Sequence, residues 1–193
     1  MGTVFVDNLE PQSGTSLTLG ASGDTVKVAS GVTNNVGIAM ADQWRLTSNK
    51  TNNQEPLSAD LEQVDGSGQG TLGSAMTQSS GVFTFPSTGI YLVKFQAGIA
   101  VTGAGTEESD GNIQIQVTTD NSSYNTRAGA KFSLHYNNVE REDTVSTETL
   151  VDVTDTSNVK VKFFVTAVTS AVTTRGDSNE NKTFFTFIRL GDT

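Results

Sequence analysis

The side chains best suited to chemistry lie in three acidic loops. In the first loop, TEESD, the carboxylates of Glu107, Glu108 and Asp110 are close together in the chain. Calcium takes about six to eight oxygen ligands, so such a loop suits this ion, although its spacing is not that of an EF-hand. Carboxylates that are only solvated are the ordinary alternative. Calcium is therefore the one cofactor that the sequence suggests. The acids of the other two loops are Glu140, Glu142, Asp143, Asp177 and Glu180.

Other catalytic and metal-binding chemistry finds little support. His135 is the only histidine and there are no cysteines. Histidine metal clusters, thiolate zinc sites, disulfides and cysteine nucleophiles are therefore excluded within one chain. Paired carboxylates could hydrolyse glycosides, but these acids lie in loops and no pattern predicts a cleft between them. We expect a strand histidine at His135, no catalytic residues and a protein that is not an enzyme.

Composition narrows the range of partners. The 193 residues carry a net charge of −9, and the 12 basic residues are spread thinly, which disfavours binding to nucleic acid. No apolar run approaches the length of a membrane span. The opening MGTVFVDNLEPQ lacks the basic and apolar regions of a signal peptide. We therefore expect synthesis in a cytosol, no export by a signal peptide, and neither a nucleic-acid nor a membrane partner.

Hydrophobic periodicity predicts strands from the tryptophan to the end of the chain. Between Gly89 and Ile99, apolar residues at every second position share one face, which is typical of a strand buried on one side. The same pattern predicts strands at 41–47, 71–77, 112–118, 131–136, 147–154, 159–167 and 183–190. Residues 48–70 are polar and glycine-rich, which predicts a long surface loop with little regular structure. About eight to ten antiparallel strands without helices indicate an all-β jelly-roll sandwich.

The first forty residues differ from the rest. Three short alternating pieces are separated by turns that contain serine and glycine, and each piece offers two apolar side chains on one face. Such pieces form no core alone, so they predict either a floppy tail or an anchoring arm that pairs with other copies or with a partner. We divide the chain into an arm with its linker at 1–40 and a sandwich domain at 41–193. The arm residues are Val4, Val6, Leu17, Leu19, Val26 and Val28.

The last strand has two apolar faces. Alternation places Phe185 and Phe187 on one face and Phe184, Ile188 and Leu190 on the other. A strand that is buried on both sides needs the opposite sheet and a second cover. A loop of the same chain could supply that cover, but a subunit interface explains it better. The interface residues are predicted to be Trp44, Phe185 and Phe187.

A resemblance to a known family supports this interpretation. The sequence FTFPSTGIY contains Phe83, Pro86, Gly89 and Tyr91 and resembles the core motif of the C1q-like domain in the C1q/TNF superfamily. The final TFFTFIRLG is similar to the phenylalanine-rich last strand of that family, and the likeness covers about residues 41–193. The resemblance implies a jelly roll that forms homotrimers, with the first and last strands near the threefold axis.

The chain also resembles the versions of this domain found in structural proteins of bacteriophages and marine viruses. The preceding DNLEPQSGTSLTLGASGDTV is similar to their fibre shafts or anchoring arms. The chain has neither the collagenous stalk nor the cysteines of animal homologues, so an immune role is not expected. The resemblance implies a trimeric virion protein, made in the host cytoplasm, that decorates the capsid or forms a head fibre.

The partners follow from this resemblance. The arm is expected to dock onto the major capsid protein or onto a tail component. The alternative is a tail fibre or receptor-binding tip that recognises a host surface glycan, as a lectin does. The polar loops at 48–70, 101–111 and 169–182 are the expected contacts of such a tip.

Overall fold

A computed structural model describes residues 22–23, 37–102, 107–135 and 139–193, without the side chains of 107–109. All regular elements in these ranges are strands, and they belong to a unit that spans residues 35–193. None of the described segments is a helix long and apolar enough to cross a membrane. The predicted arm residues lie outside the described residues, so the arm stays a prediction: Val4, Val6, Leu17, Leu19, Val26 and Val28.

The first sheet is built around one long strand near the middle of the chain. Its strands are β1 (Met40–Leu46), β2 (Lys50–Thr51), β3 (Leu61–Gln63), β6 (Gly89–Val101), β9 (Arg141–Val153), β11 (Val172–Thr174) and β12 (Phe184–Gly191). They follow the spatial order β2, β11, β6, β12, β1, β3. Strand β9 pairs along the whole of β6, so β11 and β12 share the opposite edge of β6.

The second sheet covers the inner face of the first. Its strands are β4 (Thr77–Ser79), β5 (Val82–Thr84), β7 (Glu107–Thr118), β8 (Asn125–His135) and β10 (Lys160–Thr166). They are ordered β4, β5, β10, β7, β8, and all of their pairings are antiparallel. The two sheets form the all-β sandwich that the hydrophobic periodicity predicts.

Alternation decides which side chains form the core. In β6, the side chains predicted to face inward are fully buried, whereas the intervening Leu92, Lys94 and Gln96 are half-buried on the outer face. The inward predictions for β7 and for the strand that begins near Val159 are confirmed in the same way. The inward-facing set of β6 consists of Tyr91, Val93, Phe95, Ala97 and Ile99.

The turn before β6 explains the sequence motif physically. Gly89 has φ +139°, and a Cβ atom there would lie 2.5 Å from the carbonyl oxygen of Gly191, so only glycine fits. The Tyr91 hydroxyl donates a hydrogen bond of 3.0 Å to the carbonyl of Ser87. The Tyr91 ring packs on Phe85 with centroids 4.7 Å apart. The glycine and the tyrosine of the motif therefore close the turn and attach it to the core.

The structure corrects several strand predictions. Residues 48–70 contain the short strands β2 and β3, whereas most of 71–77 is not strand, because β4 begins only at Thr77. The described strands number twelve, and three of the short ones, β2, β3 and β11, were not predicted. A strand of two or three residues is too short to show a period.

The interface predicted for Phe185 and Phe187 is also corrected. Both rings are 0% exposed within a single chain. Phe83 of the second sheet covers them, with centroids 5.4 Å away in each case. Trp44 faces inward as well and packs its ring edge against Phe83 at 5.6 Å, but it stays half-buried. A subunit contact at Trp44 therefore remains a prediction, whereas Phe185 and Phe187 are covered by their own sandwich.

Candidate functional site

The outer face of the first sheet carries a continuous row of apolar side chains. Ala41 of β1 pairs with Ile188 of β12, Ile188 with Leu92 of β6, and Leu92 with Leu150 of β9. On the other side of β1, Leu72 forms two backbone hydrogen bonds with Ala41. Paired residues point to the same face of a sheet, so these five residues form one row, about 19 Å long at the usual strand spacing. We call it the apolar row.

The ends of the apolar row are exposed to solvent. Leu72 is 51% exposed and Leu150 is 62% exposed, while Ala41, Leu92 and Ile188 are half-buried. Leu190 of β12 and Ile90 of β6 extend the apolar surface beside the row. Contiguous exposed apolar patches are typical of interaction surfaces, so the apolar row is a candidate for one.

The neighbouring row on the same face is polar. Gln43, Thr186, Lys94 and Glu148 are paired across β1, β12, β6 and β9. Gln43 donates a hydrogen bond of 3.0 Å to Thr186. The outer face therefore changes from apolar to polar along the strands. The apolar row suits a contact that excludes water, and the polar row suits a contact with bridging water molecules.

One side of the sandwich presents two strand edges. Strand β9 pairs only with β6, and β8 pairs only with β7, among the described strands. Most side chains of both strands are exposed. A groove between the edges is lined by Val117, Thr149, Leu150 and Val151. Leu150 therefore lies where the apolar row meets this open edge, and long unpaired edges are surfaces that proteins usually cover.

One end of the first sheet carries a polar cleft. The loops at 47–49 and 175–177 are held together because Asp177 N–H donates to the carbonyl of Leu46 at 2.9 Å and Gly176 N–H donates to Asn49 at 3.0 Å. Arg45 is only 2% exposed, and its guanidinium pairs with Glu62 at 2.6 Å and with Asp65 at 3.3 Å. These contacts fix the base of the cleft.

The cleft has two chambers that share Glu180 and Asn181. The first chamber, of about 560 Å³, lies between Arg45 and the segments 65–69 and 178–181. The second, of about 250 Å³, lies between Gln96, Arg175 and the first residues of β9. The Asn181 amide donates to Gln43 at 3.4 Å, while its buried oxygen has no hydrogen-bond partner among the described residues.

The predicted calcium loop is only partly described. Glu107 and Glu108 belong to β7, but their side chains lie outside the described residues. Asp110 is exposed and lies 3.9 Å from the ammonium group of Lys131, and a cation beside it works against a second one. The described residues contain no group of three or more metal-ligating side chains. His135 is exposed at the end of β8, as expected for a strand histidine.

Asp42 is a buried carboxylate that the sequence analysis missed. It is 1% exposed and accepts hydrogen bonds from Trp44 Nε1 at 3.0 Å and from the Met76 backbone N–H at 2.8 Å. Gln63 at 2.9 Å and Thr71 at 3.1 Å complete the set of donors. A buried charge is tolerated when its lone pairs are satisfied, so Asp42 ties β1 to β3 and to the segment before β4. The sequence does contain one indication that Asp42 is buried. It lies two residues before Trp44 and therefore on the same face of the strand.

Three loop aspartates have pKa values below the ordinary range. Hydrogen bonds from Lys50 and then Ser48 lower the pKa of Asp60. The Thr118 hydroxyl, followed by the backbone N–H groups of Ser123 and Ser122, lowers the pKa of Asp120. The Asn179 backbone N–H and then Lys182 lower the pKa of Asp177. These carboxylates are ionised at neutral pH and hold their loops, as hydrogen bonds to the charged form do.

No family model and no curated protein matches the sequence. Solved structures are similar: the TNF protein Eiger from S. frugiperda has a TM-score of 0.59 at 11% identity, over 81% of this chain and 95% of that chain. Murine APRIL at pH 5.0 has a TM-score of 0.55 at 10% identity, over 78% of this chain and 98% of that chain.

The fold is the TNF/C1q jelly roll. The similarity to these structures confirms the predicted fold class. At such low identity a shared fold carries no activity or partner with it. The function of this jelly roll must therefore be argued from its own surfaces.

Proposed function

We propose that the protein is a non-enzymatic structural protein of a bacteriophage particle, displayed as a homotrimer on the capsid as a decoration or head fibre. The observation that carries the proposal is the apolar row on the outer face of the first sheet, which a single chain leaves exposed at both ends.

The open edge is a second uncovered surface of the same sandwich. If β8 and β9 of one chain pack on the apolar row of the next, two different surfaces meet, and such contacts close into a ring when the rotation permits. Three copies would then cover the apolar row and the open edge of every chain. Leu150 belongs to both surfaces, so each contact would bury one Leu150 from the row and another from the open edge.

The resemblance in sequence supports the same number of copies and the site of display. The motif around Phe83 and Tyr91 is similar to that of a trimeric superfamily. The first forty residues resemble the anchoring arms of phage proteins, and three arms that meet at one anchor gain affinity through effective concentration. The arm would dock onto the major capsid protein or a tail component, and the finished protein would reside on the virion.

Electron microscopy of particles tests the site of display. We expect an antibody against the sandwich to label capsids of a phage that encodes the chain, and removal of residues 1–36 to abolish the label. Label on the tail alone would favour the alternative of a tail fibre. Particles that carry no label at all would contradict the virion role.

The alternative, a tip that recognises host glycan, is favoured by one observation. Two of the three loops predicted for such a tip, 48–70 and 169–182, meet at one end of the sandwich and flank the polar cleft. In the third loop, residues 103–106 lie outside the described residues. The two functions are compatible, because a displayed trimer can also bind a ligand.

A further inference from the structure

We propose that the polar cleft is a binding site for neutral saccharides, formed within a single chain by the two chambers on either side of Asn181. The inference goes beyond assembly because the cleft lies at one end of the first sheet and shares no lining residue with the apolar row. It rests on the alternative of a glycan-binding tip and narrows the ligand to glycans without charge.

The cations of the cleft are already paired. Arg45 contacts Glu62 and Asp65, and Arg175 contacts Glu142 and, at 3.3 Å, Glu140. Lys182 lies 3.2 Å from Asp177 and 3.7 Å from Glu180. An anionic ligand would have to displace a carboxylate from one of these cations, so it would lose about as much Coulomb energy as it gained.

The net charge of the lining also opposes anions. Among the described residues, four carboxylates and three cationic groups line the two chambers, and their charges sum to −1. The carboxylates are not arranged for a metal, since the described residues contain no cluster of metal-ligating groups. Acids, sulfated ligands and divalent cations are therefore poor occupants. The four carboxylates are Asp65, Glu142, Asp143 and Glu180.

The hydroxyl groups of an uncharged ligand can use the hydrogen-bonding groups of the cleft that the ion pairs leave available. A hydroxyl donates one hydrogen bond and accepts others, so it can lie between a carboxylate and a guanidinium without breaking the ion pair. Ser67, Gln69, Ser178 and Asn179 add hydroxyl and amide groups to the first chamber. A ligand that carries several hydroxyls and no charge matches this lining, and a saccharide is such a ligand.

The location of the cleft leaves it independent of the apolar row. Leu92 belongs to the row and Gln96 lines the second chamber, four residues further along β6, or about 13 Å. The cleft thus lies beyond the polar row that separates it from the apolar one. Binding and assembly can be tested separately for this reason.

A glycan array with matched neutral, sulfated and uronic acid forms of each glycan tests the proposal with the full chain. We expect retention of neutral glycans and weaker retention of their charged forms. Calorimetric titration with the best neutral oligosaccharide should give a dissociation constant of about a millimolar or less. If no neutral glycan is retained, or if charged forms are preferred, the proposal is overturned.

Two variants locate the site. Glu180→Ala removes an exposed carboxylate that lines both chambers and should weaken binding by about tenfold. Glu55→Ala changes an exposed acid of loop 48–70 that lines neither chamber and should leave binding within about twofold. Thermal unfolding checks that both variants fold. Equal binding by the two variants would place the ligand elsewhere.

The proposal can fail separately from the proposed function. A Leu92→Asp chain that is monomeric but still binds the oligosaccharide supports the cleft even where assembly is lost. A wild-type trimer that binds no neutral glycan overturns the cleft and leaves the assembly proposal standing.

Discussion

The outer faces of the two sheets are built from different side chains, although both sheets cover the same core. On the second sheet, Lys162 pairs with Gln116 and Gln116 with Thr126 in one row across β10, β7 and β8. Gln114 accepts hydrogen bonds of 3.0 Å from Gln116 and from Thr126. The Lys162 ammonium lies 3.8 Å from the centre of the Tyr124 ring. The corresponding surface of the first sheet is the apolar row.

This difference indicates which outer face is stable in contact with solvent in a single chain. The groups of the second sheet's outer face bond to one another and to water, so solvent is a sufficient partner. Burial of the apolar row is favourable, because each Å² of apolar surface removed from water contributes about 25 cal/mol of stabilisation. We therefore infer that the first sheet faces other copies of the chain and the second sheet faces outward.

A charge at the centre of the apolar row should have the largest effect, because it should prevent assembly through this face. Leu92→Asp would bury an unpaired carboxylate in the proposed contact, at a cost of several kcal/mol for each chain. We expect light scattering after size exclusion to show single chains. The matched change Gln116→Asp on the second sheet should leave the mass of the assembly unchanged, and a trimer of Leu92→Asp would refute the assigned face.

The inside and the outside of β12 can be compared in a monomeric Leu92→Asp background. Phe185→Ala removes a fully buried ring and should lower the free energy of unfolding by about 3–5 kcal/mol. Ile188→Ala on the apolar row should cost less than half as much, because this side chain is already partly exposed in the monomer. Urea unfolding measures both values. Equal losses would show that both faces are covered within one chain.

The buried carboxylate of β1 should matter more than an exposed one. Asp42→Ala leaves four donors without their acceptor and should cost about 2–4 kcal/mol. Asp42→Asn keeps one acceptor oxygen and should cost less. Asp152→Ala changes an exposed acid of β9 and should stay within about 0.5 kcal/mol. If chemical denaturation showed equal stability for Asp42→Ala and Asp152→Ala, the proposed stabilising role of the Asp42 carboxylate would be refuted.

The loop aspartates should cause the smallest of these effects, which is a loss of stability in acid. The folded-state pKa values of Asp60, Asp120 and Asp177 are lowered, so their contribution is present above the unfolded pKa, at about pH 5 and higher. It is lost as the pH falls through the folded-state values. Melting temperatures from pH 7 downward should therefore be flat first and then decline. Asp120→Asn should melt lower at neutral pH and decline less, and an identical decline would exclude Asp120 as a cause.

Alternation predicted the faces of the long strands but not what covers them. The period of β12 correctly placed Phe185 and Phe187 on one face and Ile188 and Leu190 on the other. A period of two residues, however, cannot tell which face meets the opposite sheet, because that depends on strands distant in the chain. The predicted interface therefore falls on the inner rings, whereas the outer side chains are the ones left uncovered.

The cleft could not be predicted because its residues come from distant parts of the sequence. Arg45, Asp65 and Asn181 are brought together by the pairing of β1 with β3 and with β12. Each of them is an ordinary polar residue in its own segment. Composition predicted polar loops, and only the strand order shows which of them meet.

The mass of the protein in solution decides whether other copies cover the apolar row. Light scattering coupled to size exclusion, with the full chain at micromolar concentration, should give three times the chain mass of 20.4 kDa. Such a mass agrees with an apolar row that is covered by neighbouring copies. A mass of 20.4 kDa across the concentration range would refute the proposed trimer, because the apolar row would then be stable in contact with water.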